Sequence, residues 1–209
     1  MSPGAINIAP YVTGCHRLRS TAMSRWKPDA QGRLVKAAIE LFHEQGYEAT
    51  TVAEIAERAG LTKRTFFRHF SDKREVLFSG SIELQRRWLE GVAGAPADAG
   101  ALAAVSAGLD PVVEMFAERH GFARLRAGII EANPELRERE LIKLQSLAGA
   151  VTAALIDRGV SANAAILAAH AGVTVFQVGF ARWVEQDDPA AFRRLIDEAL
   201  QELRSVTAA

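Results

Sequence analysis

A short cationic run between residues 63 and 69 carries the clearest chemical signal in this sequence. If the run is helical, Lys63, Arg64, Phe67 and Arg68 share one face, because residues three and four apart lie on the same side of a helix. Lysine or arginine near the start of a helix can donate to O6 and N7 of guanine in the major groove of DNA. We therefore predict that Arg64 and Arg68 contact base edges and that Lys63 is shared between base and phosphate. The candidate phosphate contacts are Thr51, Thr65, His69 and Lys73, with Thr51 acting partly through the N-terminus of the helix that it begins.

A second spacing could support a different chemistry. Glu40 and His43 form the Glu-x-x-His pattern that di-iron helical bundles use to bind metal. Such centres need two copies of the pattern and further carboxylates, and the sequence contains no second copy. No nucleophile elbow, phosphate-binding loop or cysteine cluster occurs elsewhere in the sequence. A solvent-exposed helix face is the simpler interpretation, so we expect no enzyme activity, no metal and no cofactor.

Capping residues divide the N-terminal part of the chain into short helices. Asp29 can cap a first helix, in which apolar residues recur at helical spacing until Gly46 ends it. Thr51 and Glu54 can form a capping box, in which each side chain accepts a hydrogen bond from a free backbone amide. The second helix begins there and ends at Gly60.

A third helix would present the cationic run. Thr62 can cap it, and Phe66 and Phe70, four residues apart, are predicted to face inward and fix it on the first helix. Gly60 can adopt the positive φ that a tight turn demands, and Ala56 is small where the second and third helices must cross. Two short helices joined by a tight turn are the parts of a helix-turn-helix.

The rest of the chain is also predicted to be helical. Asp72 and Glu75 are expected to begin a fourth helix that runs through Leu84, and residues 91–107 are expected to form a loop with a weak helix. Further helices are predicted from Pro111 to Asn133, from Leu136 to Asp157, from Ala162 to Glu185, and from Pro189 to Val206 with Asp188 as cap. No convincing strand alternation occurs, so we predict an all-α fold of about nine helices.

The chain has no net charge, but its charged residues are unevenly distributed. Residues 1–80 carry 12 lysines and arginines against 8 acids, whereas residues 81–209 carry 13 against 17. This contrast suggests a polyanion-binding module joined to a non-binding one. Residues 1–28 mix Pro, Gly and Ser with four basic residues and no acid, so we expect a flexible tail; a basic arm that contacts DNA phosphates or the minor groove is the alternative.

Composition places the protein among ordinary globular chains, since 49% of its residues are hydrophobic and 24% are charged. Cys15 is the only cysteine and cannot form an internal disulfide. No uninterrupted apolar run reaches the roughly 18 residues of a membrane span, and the first residues do not form a signal-peptide core. The expected location is therefore the cytoplasm.

The run from Leu34 to Phe78, LVKAAIELFHEQGYEATTVAEIAERAGLTKRTFFRHFSDKREVLF, resembles the DNA-binding domain of the TetR/AcrR family of regulators almost residue for residue. Its markers are ELF-x-x-x-GY, TTV-x-x-IA-x-x-AG and F-x-HF-x-x-K. Phe67 departs from the family pattern, because it stands where members commonly have a tyrosine whose hydroxyl meets a phosphate. That contact should be absent or replaced by packing, and Arg64 adds a base-reading candidate where many members carry glycine.

The resemblance implies a homodimer in which the last two helices of each subunit form a four-helix bundle. The sequence favours this arrangement too, since residues 162–184 are apolar nearly all round. The predicted interface residues are Ala165, Ala168, Gly172, Val175 and Gly179 on one helix, and Phe192, Leu195, Ile196, Ala199 and Leu203 on the next. A core within a single chain could use the same faces.

The resemblance also implies an effector that shifts the dimer away from a palindromic operator, as in a repressor. The candidate pocket residues are Trp88, Met115, Phe116, His120, Phe122, Arg126, Ile130, Phe176, Gln177 and Phe180, each of which could instead belong to the core. The stretch RLRAGIIEANPELRERE, residues 124–140, is more loosely similar to regulators that bind acyl-CoA-like ligands. Arg124 and Arg126 would then meet a phosphate or carboxylate, so a small apolar or acyl-type effector is expected.

These expectations divide the chain into a flexible basic tail over residues 1–28, a helix-turn-helix DNA-binding domain over residues 29–79, and a helical ligand-binding and dimerisation domain over residues 80–209. A module that binds only protein partners is the remaining alternative. It predicts behaviour with DNA that does not depend on salt, whereas a regulator should lose affinity steeply as salt rises.

Overall fold

A computed structural model describes residues 29–207, and every regular element in this range is helical. The α-helices are α1 (Ala30–Gln45), α2 (Val52–Arg58), α3 (Lys63–His69), α4 (Ser81–Gly94), α5 (Ala101–Phe116), α6 (His120–Glu131), α7 (Pro134–Asp157), α8 (Ala162–Glu185) and α9 (Phe192–Thr207). A single 3₁₀ turn, Pro189–Ala191, precedes α9. The all-α fold with about nine helices is confirmed over these residues. The predicted tail, residues 1–28, lies outside them.

The capping predictions for the first three helices are confirmed. Asp29 accepts a hydrogen bond from the amide of Gly32, and Thr51 and Glu54 form the complete capping box at the start of α2. Thr62 accepts from the amide of Thr65 at the start of α3. Gly60 has a φ of 65°, the left-handed conformation that the turn between α2 and α3 was predicted to need.

The fourth helix begins later than predicted. The Asp72 carboxylate accepts from the amides of Arg74 and Glu75, as a cap would, but the chain then forms successive tight turns and α4 starts only at Ser81. In these turns each amide bonds to the carbonyl three residues before it. This allows the consecutive side chains of residues 76–78 all to enter the core.

Two predicted features differ from the structure: the loop with a weak helix over residues 91–107, and the start of a helix at Pro111. Residues 91–94 belong to α4. The glycine at position 91 is needed for packing, because an added Cβ would come within 2.7 Å of the Ala107 carbonyl and the Gly108 Cα. Glycine thus permits close approach of α4 and α5. Pro111 lies inside α5 and does not open it, because the alanine-rich stretch before it is already helical.

Two hydrophobic clusters fill the interior of the described chain. The first unites α1, α2 and α3 with residues 76–78, and it continues into Ile129, Ile130 and Leu136 at the junction of α6 and α7. The second unites α4, α5, α7, α8 and α9. The helix-turn-helix therefore shares buried apolar surface with α6 and α7. The boundary between residues 79 and 80 stays a prediction.

Helix α8 is long and apolar enough, by length and composition alone, to cross a membrane, and it is the one helix of residues 29–207 that meets this criterion. Its buried face belongs to the second cluster together with α7 and α9. A core helix of this kind passes the same test without meeting lipid.

Candidate nucleic-acid interface and effector cleft

Helix α3 presents a cationic face to solvent. Lys63, Arg64 and Arg68 are exposed, while Phe66 on the opposite side is fully buried. Phe70, which ends the helix, is 5% exposed, and its ring centroid lies 5.5 Å from that of Phe66. The prediction that two phenylalanines fix α3 from behind is confirmed, so the helix is held with its cations outward.

Among the residues that the structure describes, the cations of α3 differ from their neighbours in having no acidic partner. Arg58 pairs with Glu44 at 2.8 Å, and Arg74 pairs with Asp72 at 3.0 Å. No carboxylate of residues 29–207 lies within ion-pair distance of the three α3 cations. Their charge is therefore available to an external anion.

Phe67 extends the same face as an apolar side chain. It is 57% exposed, and its ring meets Phe66 edge to face with centroids 5.5 Å apart. The ring is anchored on one side and open on the other, so it can contact apolar groups such as a thymine methyl.

Lys73 occupies a different position from the one predicted for a phosphate contact. Its ammonium donates to the carbonyls of Tyr47, Glu48 and Thr50 at 2.8, 3.2 and 3.2 Å, and it lies 4.2 Å from the centroid of the Tyr47 ring. All three donors are thus engaged within the protein. Lys73 ties the segment after α3 to the loop between α1 and α2, and the sequence contains no signal that distinguishes this clamp from a phosphate ligand.

Thr51 and His69 are also less available than the sequence suggests. The Thr51 hydroxyl donates to Glu54 at 2.7 Å, so the N-terminus of α2 already holds a carboxylate. Hydrogen bonds from the Thr51 hydroxyl and amide lower the pKa of Glu54, which keeps that carboxylate charged. His69 has a buried Nε2 that makes no hydrogen bond within residues 29–207. Thr65 is half-buried, and its hydroxyl lies 3.1 Å from that of Thr62.

A groove beside α3 contains an arginine that sequence analysis missed. Arg33 of α1 donates to the Ala59 carbonyl at 3.0 Å, and it lines this groove together with Thr65, Arg68 and His69. Its Nε is buried without a hydrogen-bond partner in the described residues. Nothing local distinguishes Arg33 from a surface arginine, because its position depends on how α1 packs on α2.

A cleft of about 730 Å³ lies between α4, α6, α7 and α8. Among the predicted pocket residues, Phe116, Arg126, Ile130, Phe176, Gln177 and Phe180 line it. Trp88, Met115, His120 and Phe122 do not. Trp88 is fully buried in the second cluster and donates to the Val105 carbonyl at 3.2 Å, and His120 bonds to the Trp183 carbonyl at 3.0 Å.

The sequence did not identify most of the cleft wall. The apolar wall residues that were missed are Phe78, Ile82, Leu84, Leu144, Leu147 and Val184, and the charged ones include Glu131, Glu140, Lys143 and Glu185. They come from the turns before α4 and its first residues, from the first half and middle of α7, and from the ends of α6 and α8. Packing of these helices, which are distant in sequence, brings them together.

Three cations line the cleft, and each is paired. Arg126 donates to the Leu77 carbonyl at 2.7 Å and to Glu140 at 2.9 Å. Arg124 donates to Asp187 at 2.7 Å, and this hydrogen bond lowers the pKa of the Asp187 carboxyl. Lys143 donates to Glu75 at 3.2 Å. An anionic group entering the cleft would meet cations that already hold carboxylates.

The predicted dimer residues face the interior of the chain. Nine of the ten are buried within a single copy, and Leu203 is half-buried. A Cβ on Gly172 would overlap Val105 of α5, and one on Gly179 would lie 2.6 Å from Ile196 of α9. The small-residue stripe therefore serves helix packing within one chain, which was the alternative considered for it. The side of α8 left exposed carries Ile166, Leu167 and Val178.

Comparison with known proteins supports the geometry of the helix-turn-helix. Residues 34–79 match the family model for bacterial regulatory proteins of the tetR family. The regulator TcmR of Streptomyces glaucescens is 42% identical over 74 residues, which cover 35% of this chain and 33% of TcmR. The chain thus matches about a third of the length of that curated relative.

Solved structures extend the likeness to the whole fold. A TetR-family regulator from Syntrophomonas wolfei matches with a TM-score of 0.61 at 15% identity, over 87% of this chain and 96% of that one. FadR from Bacillus subtilis, in complex with stearoyl-CoA, matches with a TM-score of 0.54 at 20% identity, over 81% of this chain and 97% of that one. The resemblance drawn from the sequence is supported: residues 34–79 match the family model for the DNA-binding part of bacterial regulatory proteins of the tetR family, and the chain has the fold of these solved regulators.

Proposed function

We propose that this protein is a sequence-specific DNA-binding transcriptional regulator, a repressor that leaves a palindromic operator when a small apolar or acyl-type effector binds its C-terminal domain. The observation that supports it most directly is the exposed cationic face of α3, which has no acidic partner within residues 29–207 and lies above two buried phenylalanines. A helix carrying such a face fits the major groove, where arginine can read guanine.

The proposed DNA contacts are a subset of those expected from the sequence. Arg64 and Arg68 contact base edges, Lys63 contacts base or phosphate, and Phe67 contributes an apolar contact. Thr65 stays a candidate phosphate contact beside Arg33, which joins the set because its guanidinium lines the groove next to α3. Thr51, His69 and Lys73 are left out, since their polar atoms are engaged or enclosed within the chain.

The test uses a duplex selected from genomic fragments bound by the purified protein. When binding is measured by fluorescence anisotropy, the logarithm of the association constant should fall linearly with the logarithm of the salt concentration, with the slope expected for several released counterions. Arg64→Ala should cost about 1 to 3 kcal/mol on the selected duplex and relax base choice at one position. Arg119→Ala, which removes an exposed arginine at the α5–α6 junction, is the matched control and should leave base choice unchanged.

Equal affinity for the selected duplex and for random competitor would refute sequence-specific binding. An affinity that does not change with salt would favour the alternative of a module that binds only proteins.

We infer that the regulator acts as a homodimer, because two recognition helices about 34 Å apart are needed to read a palindrome. The outer side of α8 supports this, since Leu167 is 72% exposed and Ile166 beside it is exposed as well. Leu167→Glu should convert the dimer to a monomer in light scattering. Leu141→Glu, at an apolar position of α7 that is 63% exposed, should leave the mass unchanged; equal effects of both variants would refute this interface.

The cleft supports the effector class. Its apolar wall comes mainly from phenylalanine, leucine and isoleucine side chains, and Arg124, Arg126 and Lys143 supply positive charge beside the acidic residues Glu131, Glu140 and Glu185. Such a lining suits a molecule with an apolar body and an anionic group. FadR from Bacillus subtilis, which has the same fold, was solved with stearoyl-CoA, a ligand of this kind.

The proposal assigns no enzyme activity to the chain and places it in the cytoplasm, where its DNA is found. In the Glu-x-x-His pattern, Glu40 lies 3.9 Å from Lys36 and 4.0 Å from Arg58, as is typical of a solvent-exposed helix face. No group of three or more His, Cys, Asp and Glu side chains in residues 29–207 is arranged to hold a metal ion.

A further inference from the structure

One ion-pair cluster connects the segment after the recognition helix to the cleft. Glu75 lies in the turns between α3 and α4, and its two carboxylate oxygens accept from Arg139 at 2.7 Å and from Lys143 at 3.2 Å. Both cations belong to α7, and all three side chains are partly buried. Water screens such a pair less than an exposed one.

Lys143 has two roles in this arrangement. Its side chain lines the cleft, while its ammonium holds Glu75, which does not line the cleft. Nearby, Arg126 also lines the cleft and donates to the carbonyl of Leu77 in the same segment. The segment over residues 72–80 is therefore fastened to the C-terminal helices through side chains that an occupant of the cleft can reach.

Resting on the proposed function, we propose that an anionic group bound in the cleft competes with Glu75 for Lys143, and that this competition transmits effector binding to the DNA-binding domain. An ammonium has only three donors, and a second anion beside it weakens its hold on the first. When Glu75 loses Lys143, the turns over residues 72–80 lose one attachment to α7. Because α3 precedes these turns directly, its position relative to the C-terminal helices becomes less restricted.

Competition has a thermodynamic signature that a purely structural ion pair lacks. If Glu75 and a bound anion contend for one ammonium, removing the charge of Glu75 must strengthen binding of the anion. It must leave binding of an uncharged molecule of the same shape unchanged. If the ion pair is purely structural, removing the charge of Glu75 loosens the cleft and weakens binding of both the anion and the uncharged molecule.

The test uses two fluorescent probes that differ by one charge. Anilinonaphthalene sulfonate is an aromatic anion, and phenyl-naphthylamine is its uncharged counterpart. Each probe is titrated into the full chain. The Glu75→Gln variant should bind the sulfonate about threefold more tightly than the wild type and bind the neutral probe with unchanged affinity. Lys143→Met should bind the sulfonate at least about threefold more weakly, again with no change for the neutral probe.

Glu83→Gln is the matched control. Glu83 also accepts from two cations, Arg86 and Arg87, but lies outside the cleft wall, so neither affinity should change. Thermal unfolding of each variant identifies any that is not folded, and Lys143→Met tests the competition if Glu75→Gln fails to fold.

Sulfonate affinity that is unchanged or weaker in folded Glu75→Gln would overturn the competition, as would equal effects on both probes. These titrations contain no DNA, so they can fail while operator binding succeeds, or succeed while operator binding fails. With the selected duplex present, the sulfonate should lower operator affinity of the wild-type chain and the neutral probe should not; equal effects on operator affinity would refute the transmission step.

Discussion

Substitution of Gly172 tests whether the small-residue stripe of α8 packs within one chain or between two. Gly172 is buried, and a Cβ added there would overlap Cγ1 of Val105 on α5. The next nearest atom, Cζ2 of Trp88, would be 3.5 Å away, which is ordinary contact. Gly172→Ala therefore creates a conflict with a single methyl group.

The expected magnitude follows from two opposing effects. Alanine in place of a helical glycine stabilises by about 0.5 to 1 kcal/mol, while overpacking a dense core costs about 1 to 3 kcal/mol. Net destabilisation of about 1 to 2 kcal/mol is expected, which lowers the melting temperature by a few degrees, at about 2 to 4 °C per kcal/mol for a chain of this size.

A double-mutant cycle with Val105→Ala isolates the contact. Val105→Ala alone should cost about 2 kcal/mol, because it removes two methyl groups from a fully buried site. In the double variant the methyl group added at position 172 fills part of the vacated space, so the loss should be at least about 1 kcal/mol smaller than the sum of the single losses. Urea unfolding gives the free energy of unfolding of the wild type, the two single variants and the double variant. Gly149→Ala is the control: this helical glycine is exposed with open space around it, so the substitution should be neutral or stabilising.

Additive losses would refute the packing of Gly172 on Val105. If Gly172→Ala instead weakened dimerisation and left unfolding at fixed concentration unchanged, the original interpretation of the stripe as a dimer surface would be restored.

Two further predictions concern helix ends. Arg158 donates to the carbonyls of Val92, Ala95 and Pro96 at 3.1, 3.2 and 2.6 Å. Arg158→Met should therefore lower the free energy of unfolding in urea by about 2 to 3 kcal/mol. Arg204→Met is the control, and an equal loss in both variants would contradict the prediction. Because the pKa of Glu54 is lowered by folding, its contribution is present above its ordinary pKa of 4.5 and lost as pH falls through the folded value. The difference in melting temperature between wild type and Glu54→Gln should therefore shrink from neutral pH toward acid, and a constant difference would exclude this linkage.

Local chemistry accounts for what the sequence predicted well. Thr51 with Glu54, Thr62, and Gly60 each act within a few residues of their own position, so capping and turn geometry could be inferred from spacing alone. The two buried phenylalanines of α3 followed from the helical period in the same way.

Choices between equivalent faces depend on tertiary packing and could not be predicted. Helix α8 carries large apolar residues on both sides, so its composition does not say which side meets α5 and which meets solvent. The cleft is similar, because Lys143 and Glu140 come from α7, and the packing of α7 against α6 leaves no periodic pattern in the sequence that identifies a pocket. Glycines 91 and 172 mislead for the same reason, since a close helix approach and a loop or dimer stripe both favour glycine.

Pairing within the fold identifies the DNA-facing cations better than charge alone. The N-terminal part of the chain is basic, yet Arg58 and Arg74 are held by acids, and Lys73 is held by backbone carbonyls. The remaining cations of the helix-turn-helix include those of α3, which point to solvent from one short helix. Because an already paired cation releases fewer counterions when it meets a phosphate, the salt dependence of operator binding should reflect these unpaired residues and not the full basic count.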